Sequence, residues 1–205
     1  VDQMRYEYLY KYYDRYSDKG FKRLMKEGIN CTDNHYNYAP TVTAAGHASI
    51  YTGSVPAIHG IVENDWIDVA SGKKVYCVDD STVQTVGSKS KAGMMSPRNL
   101  FTSTITDQLK MAQNYKSKTI AISLKDRGSI IPGGHTADAS YWYDSADGYW
   151  ISSTFYMKEL PTWVQKFNLE GRPQKYLNQG WNTLYPISSY TRSAEDDSPY
   201  EGKIG

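Results

Sequence analysis

The sequence predicts an α/β fold: a mostly parallel central sheet flanked by helices, with small insertions, and truncated at both ends. Three observations carry that expectation. Thr119-Ile-Ala-Ile-Ser-Leu124 is a short apolar run with the length and composition of a buried parallel strand. Helical patterns precede and follow it, and alternation of strand with helix is what a sheet with crossover helices requires. Val1-Asp2 reads as the last two residues of a strand whose earlier part is absent. In open α/β sheets ligands bind outside the carboxyl ends of the strands, so an Asp at that point is well placed to hold a metal.

The elements follow in order. Tyr6 to Gly20 reads as a helix, with Leu9, Tyr10, Tyr13 and Tyr16 at mixed three- and four-residue spacing, and Phe21 to Glu27 as a second helix closed by Gly28. Ile29 to Tyr38 reads as extended. Thr43 is followed by Ala44, Ala45 and Gly46, then by a helical run from His47 to Thr52 that Gly53 closes. Pro56 to Ile61 is a turn-rich connection, and a hairpin begins near Trp66 and ends near Val78. Asp79 to Pro97 reads as a loop. Ser96-Pro97 opens a helix running through Leu100, Ile105, Leu109, Met111 and Ala112. Lys125-Asp126-Arg127-Gly128 stands at the carboxyl end of the 119–124 run, and Ile131 to Gly134 reads as a turn. Tyr149 to Phe155 alternates like a strand, and Leu160-Pro161 opens a helix to about Asn168. Ser193 to Gly205 has no regular pattern. The segments near 66–97 and 137–158 read as insertions on the α/β core of residues 1–205.

Composition excludes several functions. The net charge of +1 gives no electrostatic case for nucleic acid or anionic lipid. A mean hydropathy of −0.63 goes with the absence of any membrane-length apolar run, so no membrane insertion is expected. Nineteen Tyr and five Trp point to packed, half-polar loops. Cys31 and Cys77 form one disulfide in an oxidising compartment only if they meet, which sequence does not show.

Thr43 has two readings. A Thr directly before a helix is a good N-cap, because its hydroxyl accepts an orphan backbone N–H. A hydroxyl at a helix N-terminus also sits in a field that favours anions, among N–H groups able to hold a phosphate. In that reading Thr43 is a nucleophile, and the small residues after it let a substrate come close. Lys125 and Arg127, in an extended segment, point to one side with Asp126 on the other, so two cations converge on one phosphate. The plain alternative is solvated loop charges. His35, His59 and His135 lack metal-type spacing, and a structural role is expected of each.

Val1-Asp2-Gln3-Met4-Arg5-Tyr6, Pro40-Thr-Val-Thr-Ala-Ala-Gly-His-Ala-Ser-Ile-Tyr-Thr-Gly53, Ile58-His-Gly60 and Asn64-Asp65-Trp66 together resemble the type I phosphodiesterase/nucleotide pyrophosphatase branch of the alkaline phosphatase superfamily. Lys125-Asp126-Arg127 narrows the likeness to periplasmic alkaline phosphatases of the PafA type, which are phosphate monoesterases. The resemblance implies two zinc ions, Asp2 as a zinc ligand, Thr43 as both nucleophile and zinc neighbour, and Asn64, Lys125 and Arg127 as contacts to the phosphoryl oxygens. Thr41 is the weaker choice of nucleophile, because it lacks the family's spacing to His47. For His47 packing and a local hydrogen bond are expected. A periplasmic or secreted location is implied for the parent protein. Two zinc ions need more His and Asp ligands than Asp2 and Thr43 supply. The chain is therefore expected to be an amino-terminal portion, inactive alone, that needs the remaining carboxyl-terminal part. Two alternatives stand beside this reading: a phosphodiesterase or nucleotide pyrophosphatase on the same fold, and a non-catalytic binding module in which Thr43 is only a cap.

Overall fold

The computed structural model describes residues 4–180, 182–194 and 198–200. Asp2 and the start of the expected first strand lie outside the described residues, as do parts of the carboxyl-terminal stretch. The chain divides into two compact units: Tyr36–Gln179, and a smaller one made of Val1–His35 with Gly180–Gly205.

In the smaller unit the helix expected from Tyr6 to Gly20 is broken. It comprises α1 (Tyr8–Lys11) and a 3-10 turn (Tyr13–Arg15), followed by α2 (Phe21–Glu27). No side chain caps α1, and Gly20 at φ 65° separates it from α2. Tyrosines lose rotamer freedom in a helix. Here they bond to each other and to backbone instead, with the Tyr6 and Tyr10 rings edge to face and the Tyr16 hydroxyl donating to the Tyr8 carbonyl at 2.7 Å. Residues 29–38, expected to be extended, form bends and no strand.

The larger unit runs α3 (Thr43–Thr52), α4 (Pro56–His59), β1 (Asp65–Ile67), β2 (Lys74–Tyr76), β3 (Thr85–Val86), a 3-10 turn (Pro97–Asn99), α5 (Ile105–Ala112), β4 (Ile120–Ser123), α6 (Asp126–Gly133), β5 (Ala139–Asp144), β6 (Tyr149–Ser153), α7 (Thr162–Leu169) and α8 (Arg172–Leu177). The α/β class is as expected. The sheet, of order β3-β6-β5-β4, is mixed: β4 and β5 are parallel, with Ile122 opposite Tyr141, while β6 runs antiparallel to both its neighbours. The segment near 137–158, read as an insertion, supplies the two middle strands of this sheet. Ala139 to Trp142 are all buried, so both faces of β5 are covered and the polar/apolar alternation that marks a strand is missing.

β4 is parallel as expected but is not buried. Ile120 and Ile122 remain 58% and 59% exposed, because among the described residues β4 is the edge of the sheet. The helix expected from Ser96 to Ala112 divides, because Thr104 and Asp107 form a capping box that starts α5 afresh. Ile131 to Gly134, read as a turn, is the last turn of α6, with Pro132 inside the helix. Helix α6 ends at Gly134, which takes φ +72°. A Cβ there would lie 2.4 Å from both Asp107 Oδ2 and Thr104 Oγ1, so only glycine fits. The core joins α3 to α6 and to the sheet through Ala44, Ala48, Ile61, Ile130, Ile131, Trp142 and Ile151. Alanine on the inner face of α3 lets α6 approach closely. Among the described residues no helix is long and apolar enough to cross a membrane.

Candidate active site

Thr43 is the first residue of α3, and Val42, with extended backbone, occupies the N-cap position. The capping role read for Thr43 therefore falls away. Among the described residues nothing hydrogen-bonds to its half-buried hydroxyl. Its carbonyl accepts from His47 Nδ1 at 2.7 Å, the local bond expected for His47. The helix is pinned from behind by His59, which is fully buried. His59 Nδ1 accepts the Ile61 N–H at 3.1 Å, so Nε2 carries the proton and donates to Ser49 Oγ at 3.0 Å. Burial holds the His59 pKa below its ordinary value, which keeps the ring neutral.

Asn64 follows the α4 turn and immediately precedes β1. Its Oδ1 accepts the Ala44 N–H at 3.0 Å, one of the donors that a helix N-terminus leaves without a partner. This bond fixes the carboxamide orientation and leaves its two N–H donors for another acceptor. The Asn64 carbonyl accepts from Cys77 N–H at 2.9 Å, and the β1–β2 register sets Asp65 opposite Tyr76.

Tyr76, at the end of β2, reaches the start of α6. Its hydroxyl donates to Asp126 Oδ1 at 2.6 Å and accepts from Arg127 Nη1 at 2.7 Å, and the guanidinium carbon lies 5.8 Å from the centre of its ring. Burial, reinforced by the Asp126 carboxylate, pushes the Tyr76 phenol up, so it stays neutral. Arg127 Nε is buried and unpaired among the described residues. Asp126 and Arg127 open α6, and Lys125 is its extended N-cap. The alternation expected of an extended Lys125-Asp126-Arg127 is thus replaced by a strand-to-helix junction. There Arg127 is held in place, while Lys125 is exposed and free of ion pairs among the described residues.

Asn64 bonds to the backbone N–H next to Thr43, and its own carbonyl bonds to Cys77, the residue after Tyr76, the partner of Arg127. Asp2 lies outside the described residues. Tyr76, one Tyr among nineteen, carries no local sequence signal that sets it apart. His35 bonds to Asp33 on the surface, and His135 bonds to the Leu100 carbonyl. Among the described residues no group of three or more His, Cys, Asp or Glu is arranged to hold a metal ion. Both cysteines are free thiols, Cys31 exposed and Cys77 buried. Burial pushes the Cys77 thiol up to about 12, leaving it unreactive.

The α/β scaffold thus places a free hydroxyl at the first residue of one helix and an arginine in the first turn of another. The type I phosphodiesterase / nucleotide pyrophosphatase family model matches residues 1–204, and the chain belongs to that family. It is 57% identical over 201 residues to alkaline phosphatase PhoV of Synechococcus elongatus, covering 98% of this chain and 36% of that protein. It is 52% identical over 206 residues to alkaline phosphatase PafA of Elizabethkingia meningoseptica, and 57% identical to a Myroides odoratus protein named a calcium-transporting ATPase. The crystal structure of wild-type PafA superposes with a TM-score of 0.93 over all of this chain and 40% of that one. The chain thus spans less than two fifths of the length of these curated relatives, 36–38%.

Proposed function

We propose that this chain supplies the nucleophile and phosphate-binding part of a metal-dependent phosphate monoesterase that works through a phospho-threonine on Thr43. The observation that carries the proposal is the Ala44–Asn64 bond, which sets a carboxamide with free donors next to an unused hydroxyl at a helix N-terminus. Thr43 Oγ attacks phosphorus, a new P–O bond forms, the ester P–O bond breaks and the alcohol leaves. Water then attacks the phospho-threonine and releases phosphate. Asn64 donates to a non-bridging oxygen, and the α3 N-terminus stabilises negative charge on Thr43. A monoester carries more negative charge than a diester, so Arg127 and the exposed ammonium of Lys125 favour monoesters.

A solved variant of PafA, 50% identical to this chain, carries replacements of a threonine, an asparagine, a lysine and an arginine. The threonine and asparagine there are separated by the same interval as Thr43 and Asn64, and the lysine and arginine by the same interval as Lys125 and Arg127. That match supports the four assignments.

Two zinc ions, with Asp2 and Thr43 among their ligands, belong to the same proposal. The described residues alone do not fit such a centre: of the two assigned ligands, Thr43 is the one they contain, and they include no metal-type group. A periplasmic or secreted setting and a need for further protein beyond these residues complete the proposal.

The test compares phosphate monoester and diester hydrolysis by the full-length protein and by the 205-residue chain with added zinc. Monoester preference in the full-length protein, which Lys125→Ala and Arg127→Ala each reduce, supports the reading. Diester preference would favour the phosphodiesterase alternative. Turnover by the short chain would refute its need for a partner segment.

A further inference from the structure

We infer that Tyr76 is a positioning residue for phosphate recognition, holding the Arg127 guanidinium so that its Nε–Nη2 edge faces the phosphoryl group. The inference rests on the phosphatase reading above. Three observations carry it.

The first is geometric. Tyr76 takes one arm of Arg127 at Nη1, at 2.7 Å, with the guanidinium carbon 5.8 Å from the centre of its ring. An arginine binds an oxyanion with two prongs either end-on through both Nη atoms or side-on through Nε and Nη2. A hydroxyl bonded to Nη1 obstructs the end-on mode and leaves the side-on edge. The second is the buried Arg127 Nε, which has no partner among the described residues. A buried N–H left unpaired is costly, and an incoming oxygen removes that cost. The third is the route to the nucleophile. Tyr76 pairs with Asp65, the residue after Asn64, and Asn64 bonds to Ala44, the residue after Thr43. The hairpin read from sequence as an insertion therefore sets the spacing between the hydroxyl and the cation.

Asp126 completes the device. It accepts from both the Tyr76 hydroxyl and the Arg127 backbone N–H, each at 2.6 Å. Tyr76 therefore donates to the carboxylate, and its lone pair is directed at Arg127. Asp126 Oδ1 also lies 3.8 Å from Arg127 Nη1, and the phenol hydroxyl bonds to both, so the three groups form one cluster. Lys125, without such a clamp, contributes charge but little direction.

The experiment is a double-mutant cycle in the full-length protein, with Tyr76→Phe, Arg127→Ala and the pair. Readouts are monoester kcat/KM and inhibition by inorganic phosphate. Tyr76→Phe keeps the ring and removes only the hydroxyl, and a thermal melt checks the fold. Expected is a roughly tenfold loss of kcat/KM, the size of one charge-assisted hydrogen bond. Phosphate inhibition should weaken in parallel, and both effects should shrink below about twofold in the Arg127→Ala background. Lys125→Ala combined with Tyr76→Phe should instead be additive. If Tyr76→Phe costs the same factor with and without Arg127, or costs nothing while Arg127→Ala is damaging, the positioning role is wrong and the phosphatase reading stands. If Arg127→Ala itself leaves monoester hydrolysis unchanged, the assignment of Arg127 fails and the inference falls with it. Should Tyr76→Phe unfold the protein, Asp126→Asn, which loosens the same clamp from its other end, carries the cycle with the same criteria.

Discussion

Two threonines stand at the starts of two helices and are used in opposite ways. Thr104 precedes α5 and is fully bonded: its Oγ accepts the Asp107 N–H at 3.2 Å, and its own N–H donates to Asp107 Oδ2 at 2.9 Å. It is wholly buried. Thr43 stands one position further into its helix, cedes the cap to Val42, and keeps its hydroxyl free of protein partners among the described residues. Thr104 satisfies a helix end for stability. Thr43 leaves a helix end open, and an Asn side chain from another segment takes up the Ala44 N–H in its place. The comparison teaches that a helix-terminal Thr is judged by whether its hydroxyl is already occupied, which depends on backbone phase as much as on residue type.

The sharpest way to break this contrast is Thr43→Ala in the full-length protein. Monoester hydrolysis should fall by about a thousandfold or more, as expected for a lost nucleophile. The folding stability of the metal-free protein should stay within about 0.5 kcal/mol, since the hydroxyl has no hydrogen bond to lose among the described residues. A melt and a rate assay on the same preparation check both. Next in size is Asn64→Ala, expected to lower kcat by about a hundredfold, the scale seen when one donor to a developing oxyanion is removed. It should also release Ala44 N–H, so hydrogen exchange at Ala44 should accelerate. The counterpart, Thr104→Ala, should do the reverse. It should cost about 1–2 kcal/mol of stability in denaturant unfolding, with little direct effect on the chemistry.

The smallest effect concerns pH. Burial alone would raise the Asp107 pKa, but hydrogen bonds from His135, Thr104 and Thr136 outweigh it and hold the carboxylate well below its usual range. Asp107 in turn raises the pKa of His135. The depressed carboxylate contributes stability above its unfolded value of 3.8, and that contribution fades as pH falls through the lower folded value. The imidazolium contributes fully below its unfolded value of 6.5 and loses its share as pH rises through the higher folded value. Stability should therefore be greatest between these limits, with a shallow alkaline decline because His135 is 38% exposed. His135→Gln should flatten the alkaline limb in melts run from pH 5 to 9. An unchanged alkaline limb would show that His135 does not titrate with folding.

Much of this architecture is legible in the sequence, for identifiable reasons. The 119–124 run, the hairpin after Asn64 and the helix after Pro161 all follow from periodicity and local turn chemistry. The middle strand β5 escapes because burial on both faces removes alternation, and α6 escapes because Pro132 looks like a stop while the helix tolerates it in its last turn. The proposed site divides in the same way. Thr43 and Asn64 are visible because their neighbours in sequence form a dense local pattern. Tyr76 is invisible because its role depends on β2 meeting the start of α6, fifty residues away. The geometry of Lys125 and Arg127 is not legible in the sequence, because the strand ends at Ser123 and a helix begins at Asp126. Side-to-side alternation cannot cross that boundary.

The most direct test of the central claim is to quench turnover of a phosphate monoester by the full-length, metal-loaded protein in acid and map the phosphoryl group by mass spectrometry. A phosphoryl group on the peptide containing Thr43, absent in Thr43→Ala, is the predicted result. A phosphoryl group on another residue, or full turnover by Thr43→Ala with its metal retained, would contradict the account and leave Thr43 a helix residue without a catalytic role.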